Sequence, residues 1–275
     1  MSWHGHLQLD YRHDAGRTIA LDRHHGPLRV LQRLYPEGDT VCHHVLVHPP
    51  GGLVGGDVLE VDAHLAPGSH ALLTTPGATR FYKTLGAEAQ QHVRLRVAEG
   101  ARVEWLPLET IAYCDCLAHN RLTCMLEPGA EAMGWDVLAL GLPAAGQAWE
   151  RGRYHQHLEL PGVWLERALL DATDRALLDG AVGWHGHRVL GTLWFGAGSA
   201  LAGPRREALL EAARGAIDAT GMALAGATSP ADPLVVVRVL APHVEAAMGL
   251  LQRIWAAWRR TAWQLAPCPP RVWRT

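Results

Sequence analysis

The chain has 275 residues, with Lys+Arg 25 against Asp+Glu 27 and a formal net charge of −2. So even a balance excludes attraction to nucleic acid or to an anionic membrane by bulk charge. At 48% hydrophobic and 19% charged residues, the composition is that of a folded chain able to bury a full core, not of a disordered one.

The longest stretch free of formal charge, Val189 to Pro204, falls short of the ~20 apolar residues of a membrane-spanning helix. Near the N-terminus, Asp10, Arg12, His13 and Asp14 interrupt the chain before the apolar core of a secretion signal could form. Both features predict a cytoplasmic protein. The cysteines number 5, an odd count at uneven positions, which predicts free thiols and not a disulfide framework.

Up to about residue 200 the pattern has period two. Leu59, Val61, Ala63 and Leu65 alternate with Glu60, Asp62 and His64, and Val93, Leu95 and Val97 alternate with His92, Arg94 and Arg96. The turns between such runs share one form: Leu65-Ala-Pro-Gly-Ser, Val97-Ala-Glu-Gly-Ala, Leu126-Glu-Pro-Gly-Ala and Leu160-Pro-Gly-Val. Their glycines, Gly68, Gly100, Gly129 and Gly162, are 32, 29 and 33 residues apart. A repeat of that length predicts stacked two-strand units, each burying its apolar face on its neighbours. The fold class is therefore mainly β, a layered and β-solenoid-like body. An ordinary sandwich whose turns share Pro-Gly chemistry is the alternative.

The densest segment runs from Cys42 to Asp57: a strand, a four-glycine turn and an acidic residue. It lacks a P-loop, and the residues after Asp57 alternate as a strand instead of opening a helix, so a phosphate cradle is disfavoured. Cys42, His44 and His48 share one strand face, and Glu60, Asp62 and His64 share a face of the next. Thiolate and imidazole beside carboxylates would suit transient binding of a borderline divalent metal such as nickel. The wet faces of half-buried strands would produce the same pattern.

Cys114-Asp-Cys116, with His119 and Cys124 nearby, lacks the second cysteine pair of a zinc site, which points to a structural or incidental role. Three carboxylates sit in apolar strand settings: Glu109, Asp136 and Glu166. Such groups either pair with arginine or line a wet internal cavity. For Glu166, the partners at hand are Arg167 and Arg153.

After residue 200 the period changes. Gly203-Pro204 opens a helix over Arg205 to Ala219, which Gly221 ends. Leu234 to Leu240 reads as a buried strand. From His243 a longer helix carries Val244, Ala247, Met248, Leu251, Trp255 and Trp258 at steps of three and four, a stripe expected to face the core. The pattern predicts one domain over 1–275, with a β body over 1–200 and two α-helices in the C-terminal part over 201–275.

Several segments together resemble the UreD (also called UreH) family of urease accessory proteins, from end to end. They are Gly26-Pro-Leu-Arg-Val30, Tyr35-Pro-Glu-Gly38, His48-Pro-Pro-Gly-Gly-Leu-Val-Gly-Gly-Asp57, Thr74-Thr-Pro-Gly-Ala-Thr-Arg-Phe-Tyr82, Leu106-Pro-Leu-Glu-Thr-Ile111, Arg188-Val-Leu-Gly-Thr192 and Pro270-Arg-Val-Trp-Arg-Thr275. The resemblance implies a maturation factor and not an enzyme. Such a factor joins UreF-type and UreG-type partners on apo-urease and helps deliver nickel through an internal tunnel. GTP hydrolysis would belong to the UreG-type partner. Nickel would be in transit, with no tightly bound cofactor and no nucleic-acid or membrane partner.

By motif, Asp57, Thr74, Thr75 and Glu109 match family positions. Glu60, Asp136 and Glu166 extend that set, because a tunnel passing a dication needs spaced carboxylates that release it. Cys42, His44 and His48 are further expected metal contacts. The chain departs from the family at Pro107-Leu108-Glu109, where Pro-Gln-Glu is commoner, and at Cys114-Asp-Cys116. Two alternatives are a metal-dependent hydrolase using His44, His48 and Asp57, and a nickel-storage protein, which would want a His-rich tract that is missing here.

Overall fold

The computed structural model describes residues 2–222 and 224–274. Strands β1 (His4–Asp14), β2 (Arg17–His25), β3 (Arg29–Leu34), β4 (Val41–Val47), β5 (Val58–Leu65) and β6 (His70–Thr74) open the chain. Next come β7 (Thr79–Phe81), β8 (Ala89–Val97), β9 (Arg102–Trp105), β10 (Thr110–Ala112), β11 (Cys116–Leu126) and β12 (Glu131–Leu140). The last third holds β13 (Gly152–Leu160), β14 (Trp164–Asp171), helix α1 (Arg175–Asp179), β15 (Val189–Ala197) and α2 (Gly203–Thr220), then β16 (Ala225–Ala231), β17 (Leu234–Ala241) and α3 (Val244–Trp263).

Among the described residues the strands form two sheets: a seven-stranded one in the order β14-β13-β11-β8-β5-β1-β2, and a ten-stranded one built on β16-β17-β15-β12-β9-β6-β4-β3. Successive strands alternate between them: β5 lies in the first, β6 in the second, and so on through β8, β9, β11 and β12. Within each sheet those strands pair in parallel, which makes each circuit one turn of a solenoid.

The shared turns are what close each circuit. Gly68, Gly100 and Gly129 carry chain from one sheet to the other at φ of +73°, +66° and +81°, a left-handed backbone that glycine takes without a Cβ clash. The turns also stack, the Gly68 N–H donating to Glu99 O and the Gly100 N–H to Gly129 O. The fourth turn of the series differs: Gly162 links β13 to β14 as an antiparallel hairpin within one sheet, and the solenoid ends there.

Burial explains the two kinds of strand pattern. The seven-stranded sheet is wet on its outer face, so β5 and β8 alternate, with Leu59, Val61, Ala63 and Val93, Leu95, Val97 turned inward. The ten-stranded sheet is covered on both faces. In β17, Leu234 and Val236 join the core between the sheets, while Val235, Val237 and Val239 join a second core beneath the helices. That is why Leu234–Val237 reads as an unbroken apolar run.

Helices α2 and α3 form this third layer. Pro204 stands in the first turn of α2 and Gly221 caps it at φ +65°, as the sequence predicts. On α3, Ala247, Met248, Leu251, Trp255 and Trp258 are buried against the ten-stranded sheet. The short α1, which period-two alternation conceals, is capped by Asp174 accepting the Leu177 N–H.

Candidate functional site

Between the sheets, a polar seam interrupts the apolar core. On the seven-stranded sheet, Gln91 of β8, Asn120 of β11 and Gln156 of β13 are register partners and occupy the inward phase of their strands. On the facing sheet, Asp136 of β12, Thr192 of β15 and Arg238 of β17 form a matching row. Gln91 Nε2 donates to Asn120 Oδ1 at 3.2 Å, and Asn120 Nδ2 crosses to donate to Asp136 Oδ2 at 3.1 Å.

A partly open cavity of about 230 Å³ meets one end of this seam. His48, Thr75 and Arg80 stand around it, with Val61, Gln91 and Trp105. At the other end Glu166 of β14 is gripped by Arg238, and a surface depression lined by Trp184, Leu190 and Arg238 adjoins them. The polar side chains thus cross the sandwich from the His48 side to the Glu166 side.

The carboxylates of the seam are desolvated. Asp136 keeps some accessible surface although it faces the core, and desolvation pushes its pKa up to about 7, with the Glu166 charge adding to the rise. Burial likewise raises Glu166, although Arg238 opposes it. The Gln156 Oε1 and the Tyr154 Oη are buried with no hydrogen-bond partner among the described residues, so hydrogen-bonding capacity at the seam is unmet.

The residues expected from sequence separate into groups. Asp136 and Glu166 lie in the seam, and His48 lies at the cavity, its pKa lowered by desolvation. Glu166 pairs with Arg238; neither Arg167 nor Arg153 is its partner, and Arg153 instead bonds Asp171. Asp57 is a loop brace, accepting Trp3 N at 2.8 Å and Val54 N at 2.9 Å. Glu60 projects from the outer face of the seven-stranded sheet, where Arg94 and His4 each hold it at 2.8 Å.

Glu109 is half-buried just ahead of β10, where its carbonyl accepts the Thr79 N–H. Thr74 donates to Leu106 O and receives the Trp273 indole N–H, while Thr75 receives the Leu108 N–H, so both tie the loops beside the cavity. Cys42 and His44 face the core from β4. Tyr11 Oη lies 2.6 Å from His44 Nδ1, and desolvation drives the His44 pKa down to about 4.

These placements put the thiol and imidazole set inside the sandwich and Glu60, Asp62 and His64 on the far side of the opposite sheet. The two sets do not meet. Among the described residues no three His, Cys, Asp or Glu side chains converge as a metal site, and His44, His48 and Asp57 do not form one. All five cysteines are free.

Gln91, Asn120, Gln156, Thr192 and Arg238 are seam residues that the sequence pattern did not single out. A signal for them exists: each is a polar residue in the apolar phase of its strand, as Gln91 is in step with Val93, Leu95 and Val97.

Two sheets wound as a solenoid and backed by helices, with a polar seam between them and no metal cluster among the described residues, define the class of protein by its architecture. Comparison with known proteins makes this specific. The family model for the UreD urease accessory protein matches residues 4–274. Urease accessory protein UreD of Leptothrix cholodnii is 65% identical, with 100% of both chains covered. The proteins of the same name from Variovorax paradoxus and Paracidovorax citrulli are 60% and 58% identical, over 100% and 99% of both chains. This chain belongs to the UreD family, whose members are accessory proteins of urease and not enzymes. No helix of the described residues is long and apolar enough to cross a membrane.

Proposed function

We propose that this chain is a scaffold and nickel conduit in urease maturation, joining UreF-type and UreG-type partners to apo-urease in the cytoplasm. The observation that carries the conduit is the polar seam, a row of amides and carboxylates that crosses a largely apolar sandwich. Neutral amides and single carboxylates hold a divalent cation loosely, which is what release at the far end requires. A proton competes with the cation at Asp136 near neutral pH, which weakens retention further. Nickel in this account is cargo, never a resident cofactor.

The role is tested by deleting the gene from a host with an otherwise complete urease operon and restoring it on a plasmid. Urease activity and nickel per urease active site should fall on deletion and return with the plasmid. Co-purification of the chain with the UreF-type and UreG-type proteins tests the scaffold. Urease that fills with nickel regardless refutes the role.

A further inference from the structure

The wet face of the seven-stranded sheet carries imidazoles that the seam does not use. His119 of β11 and His155 of β13 are register partners on parallel strands, their ring centroids 5.7 Å apart. His92 of β8 adjoins them, 5.6 Å from the His119 ring. Glu88, one residue before β8, brings a carboxylate oxygen to 4.0 Å from His155 Nε2.

Exposed histidines commonly stand alone in solvent, but adjacency on this scale has a chemical meaning. Two imidazoles that share a first-row divalent cation hold it at ~2.0–2.1 Å from nitrogen, which places their ring centroids about 5–6 Å apart. His119 and His155 already stand at that separation. The nearby cations are engaged elsewhere: Arg94 is held by Glu60 and Asp62, and Arg121 bonds Glu159.

We propose that His119 and His155, with Glu88 as the carboxylate neighbour and His92 at the border, form a solvent-facing site for a borderline first-row divalent cation. Nickel and zinc are the probes of that class. The rings do not yet close around a point. Their side chains are partly exposed, His155 by 41%, so rotation about χ1 and χ2 completes the site, with water filling the remaining positions. A site assembled in this way exchanges its cation readily. It lies on the opposite face of β11 from Asn120, so it stands or falls independently of the conduit.

The test is calorimetric titration of the full chain with nickel chloride and, separately, zinc chloride. The comparison is with His119→Ala/His155→Ala, with His119→Gln/His155→Gln to preserve polarity, and with Asp136→Asn. We expect both histidine variants to lose one bound cation, or to hold it at least about tenfold more weakly, with an unchanged circular dichroism spectrum. Asp136→Asn should retain that cation. Equal stoichiometry and affinity in wild type and the histidine variants overturns the proposal, as does a cation lost in Asp136→Asn but kept in them.

Discussion

Asn120 and Asp136 belong to opposite sheets, yet Asn120 Nδ2 donates to Asp136 Oδ2 at 3.1 Å across the core. Neither is an efficient choice for packing. A carboxylate facing a core costs free energy whenever it ionises, and one amide hydrogen bond repays only part of that.

The cost has a sign that can be measured. Burial moves the Asp136 pKa from the ordinary 3.8 to about 7, so between these values the folded state binds a proton that the unfolded state has released. Stability should therefore decline as pH rises from about 4 to about 7, by roughly 2–4 kcal/mol from this group. Asp136→Asn should remove that part of the slope and unfold at higher urea concentration than wild type at pH 8. An unchanged pH profile in the variant would count against a desolvated carboxyl.

A second buried charge holds the helical layer. Arg259 on α3 is fully buried, with Nη2 donating to Glu37 Oε2 at 2.7 Å and Nε 3.4 Å from Glu104 Oε2. Glu104, buried in β9, also accepts from the Trp255 indole and lies 2.8 Å from His70 Nε2. Removing the guanidinium takes the buried cation from two carboxylates, leaving Glu104 with Trp255 and His70 and Glu37 with His43, so Arg259→Ala should cost about 3–5 kcal/mol in chemical denaturation. A loss under about 1 kcal/mol would mean that the cluster is not what fixes α3 to the sheet.

The carboxylates near the glycine-rich turn should behave differently from each other. Glu60 is a surface residue in an arginine and histidine cluster, so Glu60→Ala should change stability by less than about 1 kcal/mol and leave urease nickel unaltered. Asp57→Ala leaves the Trp3 and Val54 N–H groups without their acceptor and should cost about 1–3 kcal/mol. Denaturation of both variants, with nickel analysis of urease matured in their presence, separates the two roles. A nickel defect in Glu60→Ala would place the path on the wrong face.

The architecture was legible wherever one residue type decides the backbone. Gly68, Gly100 and Gly129 announce the solenoid because their turns need positive φ, and Pro204 with Gly221 brackets α2. Gly162 has the same local chemistry but turns a hairpin, since a tight turn does not specify which sheet receives the next strand. Asp136 and Glu166 stood out as carboxylates among apolar neighbours. Alternation alone does not say which face of a strand is turned inward, so it could not place Glu60 on the outer face. Gln91, Asn120 and Gln156 come into line only through parallel register across β8, β11 and β13, and Arg238 reaches Glu166 from a strand 72 residues away, which no local pattern records.

The central claim is that cargo passes between the sheets, and Asp136→Asn tests it with least ambiguity because the substitution is expected to stabilise the fold. Nickel per urease active site should be measured in cells that carry this variant as their only copy, alongside co-purification with the partner proteins. The account predicts an intact complex and a marked fall in nickel occupancy. Full occupancy with an intact complex would contradict it, and the seam would then be a structural feature with no part in delivery.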